Sequence, residues 1–173
     1  MKVHCTRILT LVLLTTIGMI GWVSAEAYKD PYSLLYQYGT FNEGTVRQTG
    51  SENYSYLYQE GNLNIAAASV NGKQNRTIQT QNGDENEALA TLVGLGNTII
   101  QIQTGSGNRA VAAIDGDNST IGQYQIGKNN KSDASISGSD AAIQHFQIGN
   151  GLTDNLSLVG DGESLIKIQI KPY

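Results

Sequence analysis

The side chains that could do acid–base or metal chemistry are few and scattered. Histidine occurs only at His4 and His145, and Cys5 is the single cysteine. The acidic pairs Asp115-Gly-Asp117 and Asp161-Gly-Glu163 could suggest calcium, but the calcium-binding solenoid repeat Gly-Gly-x-Gly-x-Asp is absent. Catalysis needs a nucleophile, a base and a stabilising group brought together. We find no such set and expect no enzyme, no metal site and no cofactor.

The abundant and regularly spaced polar groups are side-chain amides, whose chemistry is hydrogen bonding. Gln59 to Asn64 reads Gln-x-Gly-x-x-Asn, and this motif recurs at a step of 22 residues. The glutamines at this step are Gln37, Gln59, Gln81, Gln103, Gln125, Gln147 and Gln169. The asparagines that recur with them are Asn42, Asn53, Asn64, Asn75, Asn86, Asn97, Asn108 and Asn130. An amide both donates and accepts, so stacked copies of one amide can form a continuous ladder.

Glycine marks a shorter period of 11 residues, from Gly39 to Gly160 without a gap. The glycines that belong to the 22-residue motif are Gly39, Gly61, Gly83, Gly105, Gly127 and Gly149. We expect them at turns, where a positive φ or a close backbone approach excludes a side chain. A right-handed coiled coil also has an 11-residue period, but regularly spaced glycines, at about 1 kcal/mol each, exclude a helix.

Between the glycines, side-chain type alternates with a period of two, which indicates strands. One strand type repeats Asn, small, small and aliphatic residues, as in Asn86-Ala88-Ala90-Leu92. The other repeats Asn or Ser, β-branched, Gln and Gln, as in Asn97-Ile99-Gln101-Gln103. These repetitive faces should point inward, and the variable faces, with the charges, should point outward. The prediction is an all-β, cross-β solenoid with two strands per 22-residue coil and about six coils over residues 37–169.

The last coil, residues 147–169, departs from this pattern. Asp154 and Lys167 occupy inward positions where Ala and Gln are expected. An unpaired lysine in a sealed core is costly, so we expect this end of the solenoid to lie open. It is either a terminal cap, which is commonly atypical in repeat proteins, or a surface-attachment end that uses Lys167 and Lys171. His145 also stands at an inward Gln position, and we interpret it as a substitute in the ladder and not as a base.

The segments outside the repeats are short. Residues 1–25 resemble a secretory signal, with a basic start, a broken apolar run and the small-residue site Val23-Ser24-Ala25. A membrane span is the alternative, but the apolar run is short and interrupted. We expect residues 26–36 to form an irregular leader and residues 170–173 to form a tail. The tyrosines Tyr54, Tyr56 and Tyr58 share one outward face, which indicates strand propensity or a contact patch for another subunit.

The charge of the chain argues against nucleic-acid binding. The chain carries 11 basic and 15 acidic side chains, and cleavage after Ala25 would remove Lys2 and Arg7. The remaining chain is therefore more acidic still, whereas nucleic-acid binders present basic surfaces. It also lacks cysteine, so no disulfide is expected.

Tandem Gln-x-Gly-x-x-Asn-x-Ala units behind a secretory signal resemble the curlin repeat over about residues 37–169. The curlin pattern also has Ser or Asn six residues before the first Gln, a position that Asn53, Asn75, Asn97 and Ser119 fill. It has a second Gln eleven residues after the first. Gln48 keeps it, but the equivalent later positions are aliphatic: Val70, Leu92, Ile114, Ile136 and Leu158.

The resemblance implies a secreted subunit of curli, the extracellular functional amyloid fibres of bacterial biofilms, with a role in adhesion. Its partners would be itself, another curlin subunit, the curli outer-membrane secretion channel and the cell surface. The charged last repeat, with Ser164 to Lys171, is similar to that of the minor, nucleating curlin, and we favour this subunit over the major one. The alternatives of other classes are a monomeric ligand- or ice-binding solenoid and a polysaccharide-active β-helix.

Overall fold

A computed structural model describes the backbone of residues 9–14, 20–29 and 32–172, and the side chains of residues 32–172. Within these ranges all regular structure is β-strand. The strands are β1 (Leu9–Leu14), β2 (Ile20–Lys29), β3 (Tyr32–Thr40), β4 (Glu43–Ser51), β5 (Tyr54–Asn62), β6 (Ile65–Lys73), β7 (Arg76–Asn82), β8 (Glu87–Leu95), β9 (Thr98–Ser106), β10 (Arg109–Asp115), β11 (Thr120–Lys128), β12 (Lys131–Ser137), β13 (Ala142–Asn150), β14 (Thr153–Val159) and β15 (Ser164–Ile170). No helix in these ranges is long and apolar enough to cross a membrane.

The strands form two parallel sheets. The first, which we call the glutamine sheet, has eight strands in the order β1-β3-β5-β7-β9-β11-β13-β15. The second, the alanine sheet, has seven strands in the order β14-β12-β10-β8-β6-β4-β2. Successive strands of the chain therefore alternate between the two sheets. From β3 onward, each strand pairs with the strand that lies two positions earlier in the chain. This is the β-solenoid of about six coils that the repeats predict.

The pairing register between repeat strands is 22 residues. Gln59 of β5 pairs with Gln81 of β7, and Ala66 of β6 pairs with Ala88 of β8. Each residue therefore stacks on the equivalent residue of the next coil, and at most inward positions of the repeat the two are of the same type. A slip by one residue would turn the inward set of side chains to solvent, and the identity of the stacked residues disfavours that slip.

The core is a thin layer between the two sheets. In the middle coils the alanines of β8 and β10 meet the isoleucines and glutamines of β9 and β11, and Ala88, Ala110 and Ile99 are fully buried. The small side chains of the alanine sheet leave space for the longer ones of the glutamine sheet. The inward assignment of both repetitive faces is thus confirmed.

The turn glycines combine a positive φ with a close approach to the backbone of the next coil. Gly83 has φ of 124°, a conformation that L residues rarely adopt. A Cβ at this position would also overlap the carbonyl oxygen of Gly105 in the next coil. The stacking of coils therefore places glycine directly on glycine, and a side chain would both strain the turn and separate the coils.

The prediction of an irregular leader at residues 26–36 is wrong for its described residues. Residues 26–29 belong to β2, and residues 32–36 belong to β3. The physical reason is that the inward pattern starts earlier than Gln37: Ser33 and Leu35 are buried and pair with Ser55 and Leu57 of the next coil.

The proposed signal segment overlaps the described part of the chain. Residues 1–8 and 15–19 lie outside the described residues, whereas β1 pairs with β3 and β2 pairs with β4. Cleavage after Ala25 stays a prediction, and it would leave β3 at the edge of the glutamine sheet.

The inward face provides the first test. Ala88→Asp and Ala110→Asp each place a carboxylate in a fully buried layer of methyl groups, which should cost several kcal/mol. We expect that in either variant the backbone amides of β8 and β10 lose their protection from hydrogen exchange.

The matched controls lie one residue away on the outward face. Glu87→Lys and Arg109→Glu disturb an ion pair of 2.9 Å whose side chains are more than a third exposed, worth at most about 1 kcal/mol. Equal loss of protection in the inward and outward variants would contradict the face assignment.

Candidate functional site

The most regular polar feature of the molecule is a column of seven glutamines through the core. Each Nε2 donates to the Oε1 of the glutamine one coil further on, from Gln37 to Gln169, at 2.6–2.9 Å. All members except Gln169 are buried. We call this the first glutamine column.

The first glutamine column also connects the two sheets. In the five inner members the second N–H crosses the core: Gln81 Nε2 donates to the carbonyl of Ile65 at 2.9 Å, and Gln103 Nε2 donates to that of Glu87 at 2.9 Å. Each of these amide groups therefore bonds along the solenoid and across it. Because an unpaired buried polar group costs about 1–3 kcal/mol, a copy that missed this register would be penalised at every coil.

A second, shorter column runs beside the first. Gln79 donates to Gln101 at 2.8 Å, and Gln101 donates to Gln123 at 2.9 Å. Its first member follows Leu57, which has no donor, and Gln79 Oε1 is buried without a hydrogen bond. The column therefore begins at Gln79, which stacks on the leucine of the preceding coil, Leu57.

The asparagines close the turns. The backbone N–H of Asn86 donates to Asn64 Oδ1 at 3.0 Å, and Asn86 Nδ2 donates to the carbonyl of Gly105 at 2.9 Å. The same pair of contacts recurs at Asn75, Asn97, Asn108 and Asn130. All eight predicted asparagines are buried. Each one therefore satisfies the glycine carbonyl that the turn would otherwise leave unpaired.

The turn acids bind backbone amides of the preceding coil. Asp117 Oδ1 accepts from the backbone N–H of Leu95 at 2.8 Å, and Asp161 Oδ1 accepts from that of Ser139 at 2.7 Å. The described residues contain no group of three or more His, Cys, Asp or Glu that could hold a metal ion. The acids are thus turn acceptors that link successive coils.

His145 interrupts the second column and has a specific partner. It is fully buried, and its Nδ1 lies 2.6 Å from Ser132 Oγ. Ser132 Oγ accepts from Gln123 Nε2 at 2.8 Å, so its hydroxyl hydrogen is available to His145. Ser132 occupies the position that Ala110 holds one coil earlier. Serine in place of alanine at position 132 therefore compensates for histidine in place of glutamine at position 145. The serine oxygen accepts the hydrogen bond from Gln123 Nε2 that a glutamine at position 145 would have accepted.

The last coil contains an ion pair at the inward positions. Lys167 Nζ lies 2.6 Å from Asp154 Oδ2, and His145 Nε2 lies 3.4 Å from the same oxygen without forming a hydrogen bond. The side chain of Asp154 is 10% exposed and that of Lys167 is 43% exposed. Lys167 is therefore partly open to solvent, as expected for an open last coil, and an aspartate on the facing strand pairs with it. Lys171 is exposed, and its backbone N–H donates to Ile148.

The tyrosines form columns on the outside of the glutamine sheet. Tyr32 stacks on Tyr54 with ring centroids 5.6 Å apart, and Tyr36 lies 5.9 Å from Tyr56. Burial raises the pKa of Tyr56, and donation to Glu60 raises that of Tyr58. The contacts between tyrosine rings are made within one chain, between successive coils.

The sequence interpretation missed the cross-core partners of the irregular positions. Ser132 and Asp154 stand in the inward row that is alanine in the preceding coils, and this departure was a signal of paired substitutions. Their partners could not be assigned from sequence, because the stagger of one sheet against the other sets which facing residues meet.

No family model, no curated protein and no solved structure matches the chain. Function must therefore be argued from the geometry of the solenoid.

The buried histidine predicts a pH dependence. Burial lowers the pKa of His145 below its ordinary value of 6.5, and Lys167 lowers it further, against the opposing effects of Asp154 and Gln169. A lowered folded-state pKa means that the unfolded chain binds the proton more readily. The stability that depends on neutral His145 is complete above pH 6.5 and is lost as the pH falls below it.

We expect hydrogen-exchange protection of β13 and β15 to decrease between pH 7.5 and 5.5, after correction for intrinsic exchange rates. The substitution His145→Gln places glutamine, the residue of the second column, at this position and should remove the decrease in protection. A decrease of the same size in the variant would show that another group is responsible.

Proposed function

We propose that this chain is a secreted structural subunit of a curlin-type amyloid fibre that assembles on the bacterial cell surface, and that it is not an enzyme. The observation that carries the proposal is the first glutamine column, which runs from β3 to β15 and, once residues 1–25 are removed, would have the same residue type at both ends. Gln37 lies in β3 and Gln169 in β15. A second chain whose β3 adds to β15 would continue the column and the parallel sheet without a change of register.

The ends of the solenoid favour such addition. β14 and β15 are the last strands of their sheets, and a strand edge presents unpaired backbone donors and acceptors to another chain. Addition of end to end is a contact between two different surfaces, which does not close and so produces a filament. Removal of residues 1–25 during secretion would expose the corresponding edge of β3.

The ion pair of the last coil favours a minor, nucleating subunit over the major one. In a fibre of this chain alone, every junction would place β3 of the next chain against β15, with Leu35 stacked on Lys167, the partner of Asp154. Desolvating an ion pair without new partners is unfavourable. The chain would therefore accept another subunit more readily at its β3 end and present the charged end to the cell surface.

The rival solenoid functions have weaker support. An ice-binding solenoid requires a flat, regular threonine array on one outward face. The outward faces of β3, β5, β11 and β15 carry mainly tyrosine and isoleucine.

The direct experiment uses purified residues 26–173. We expect elongation after a lag, seeding by preformed fibres, thioflavin binding, and fibre diffraction at about 4.8 Å along the axis. A chain that stays monomeric for days at high concentration would contradict the proposal.

The terminal ion pair gives a second prediction, in which two substitutions restore the repeat. Asp154→Ala and Lys167→Gln together introduce the residues that the regular coils carry at these positions. The double variant should polymerise with a lag several-fold shorter than that of the natural chain, because its end coil becomes a template without charges.

The single variants are the controls. Each leaves one charge near the core without its partner, which destabilises the end coil, so each should elongate more slowly than the double variant. If the double variant polymerises with a lag no shorter than that of the natural chain, the proposed role of the ion pair is contradicted. That result would favour the interpretation of the last coil as a simple cap.

A further inference from the structure

The two outward faces of the solenoid differ in character. On the alanine sheet the outward positions carry many charges, namely Glu43, Arg47, Lys73, Glu87, Arg109, Asp115, Lys131 and Asp133. Arg109 pairs there with Glu87 at 2.9 Å and with Asp133 at 3.0 Å. On the glutamine sheet, the outward positions of β3 to β15 carry three charged residues: Glu60, Arg76, and Lys128 at the end of β11. The alanine sheet is thus the more highly charged side of the molecule.

The outward face of the glutamine sheet is mainly apolar and aromatic, with threonines in its middle strands. Its first coils present tyrosine columns, and its last coils present stacked aromatic rings and isoleucines. Tyr124 and Phe146 are parallel with centroids 4.7 Å apart. Ile166, Ile168 and Ile170 are 62–70% exposed. A soluble monomer rarely exposes an apolar patch of this extent, and such patches mark interaction surfaces.

We propose that this outward face, formed by β3, β5, β7, β9, β11, β13 and β15, binds the same face of a second copy of this chain, with the two solenoids side by side and pointing in the same direction.

The area of the face matches a stable interface between copies. Seven strands at about 4.8 Å spacing and seven residues at about 3.3 Å give a face of about 30 by 23 Å. Two such faces would bury about 1,300–1,400 Å² in total, within the range of specific protein–protein interfaces. The face is also nearly free of charges, whose desolvation would oppose pairing.

Two of the three charged residues of the face, Glu60 and Arg76, determine the relative orientation. Within one chain, Glu60 and Arg76 lie at opposite ends of their strands, roughly 20 Å apart along the strand direction. A two-fold axis parallel to the solenoid axis keeps each strand at its height but reverses its direction across the interface. Glu60, near the end of β5, then faces Tyr54, the first outward residue of β5 in the second copy.

The position of Arg76 completes this match. Its guanidinium lies over the Tyr54 ring, 5.9 Å from the centroid, and therefore reaches to the height of β5. Glu60 of one copy would meet Arg76 of the other, and the two-fold axis generates this ion pair twice. A two-fold axis along the strands would instead place Glu60 opposite the end of another strand, away from Arg76. The charges thus favour the parallel arrangement, which also lets both solenoids elongate in one direction.

The test is a charge-reversal cycle read by mass per length of the filaments, measured by scanning transmission electron microscopy. Natural filaments should have twice the mass per length of a single solenoid. Glu60→Arg places like charges across the interface, and we expect the mass per length to fall by half. The double variant Glu60→Arg with Arg76→Glu restores opposite charges and should restore the doubled value.

The control is Glu87→Arg on the charged face of the alanine sheet, which should keep the doubled value. Natural filaments with single-solenoid mass, or a Glu60→Arg variant that remains paired, would overturn the proposal.

Lateral pairing does not depend on fibre growth. If the chain fails to elongate, sedimentation should still detect a dimer that Glu60→Arg dissociates and the double variant restores. A chain that neither elongates nor dimerises would refute both proposals, whereas filaments of single-solenoid mass would refute lateral pairing alone.

Discussion

The structure depends on one interaction, the hydrogen bond between amides of the same residue type in successive coils. In the first glutamine column each inner amide donates along the axis and across to the facing sheet, so both of its N–H groups are satisfied in a buried layer. The asparagines do the same for the turns, where they bind the glycine carbonyls of the next coil. A thin core with few large apolar side chains can be stable because most of its polar groups are paired. The strict 22-residue step follows, since a coil of another length would misplace each of these groups.

The same constraint explains where the chain departs from its repeat. An amide column that begins or ends inside a core leaves an atom unpaired unless another group replaces the missing amide, and Gln79 Oε1 is unpaired in this way at the start of the second column. At the other end of that column Ser132 replaces the missing amide, since its Oγ accepts the hydrogen bond of Gln123 Nε2 and contacts His145. Asp154 and Lys167 then end the row with a partly exposed ion pair. The last coil is therefore built for solvent on one side, and we relate this to the asymmetry proposed for the ends of the fibre subunit.

The sequence was sufficient for the fold because the repeat is exact in the residues that matter. Period two identifies the strands, the 22-residue step fixes their register, and the repetition of Asn, Ala and Gln identifies the inward faces. The leader was misassigned because the motif was anchored on Gln37, although Ser33 and Leu35 already continue the inward row. The partners of His145, Asp154 and Lys167 lie on the facing sheet, and their proximity depends on the stagger between the sheets, which no periodicity encodes. The difference between the two outward faces was also missed, since it emerges only when the strands are assigned to sheets.

The most direct test of the account is a measurement of which glutamines meet between chains in the fibre. Fibres grown from a mixture of ¹³C-labelled and ¹⁵N-labelled chains report only intermolecular contacts in solid-state NMR. The account predicts an intermolecular contact between the side-chain amides of Gln169 and Gln37, and none between the Gln103 side chains of two molecules. An amyloid in which each residue stacks on its own copy in the next chain would show Gln103 against Gln103 and no contact between Gln169 and Gln37. That result would contradict a fibre made of stacked solenoids.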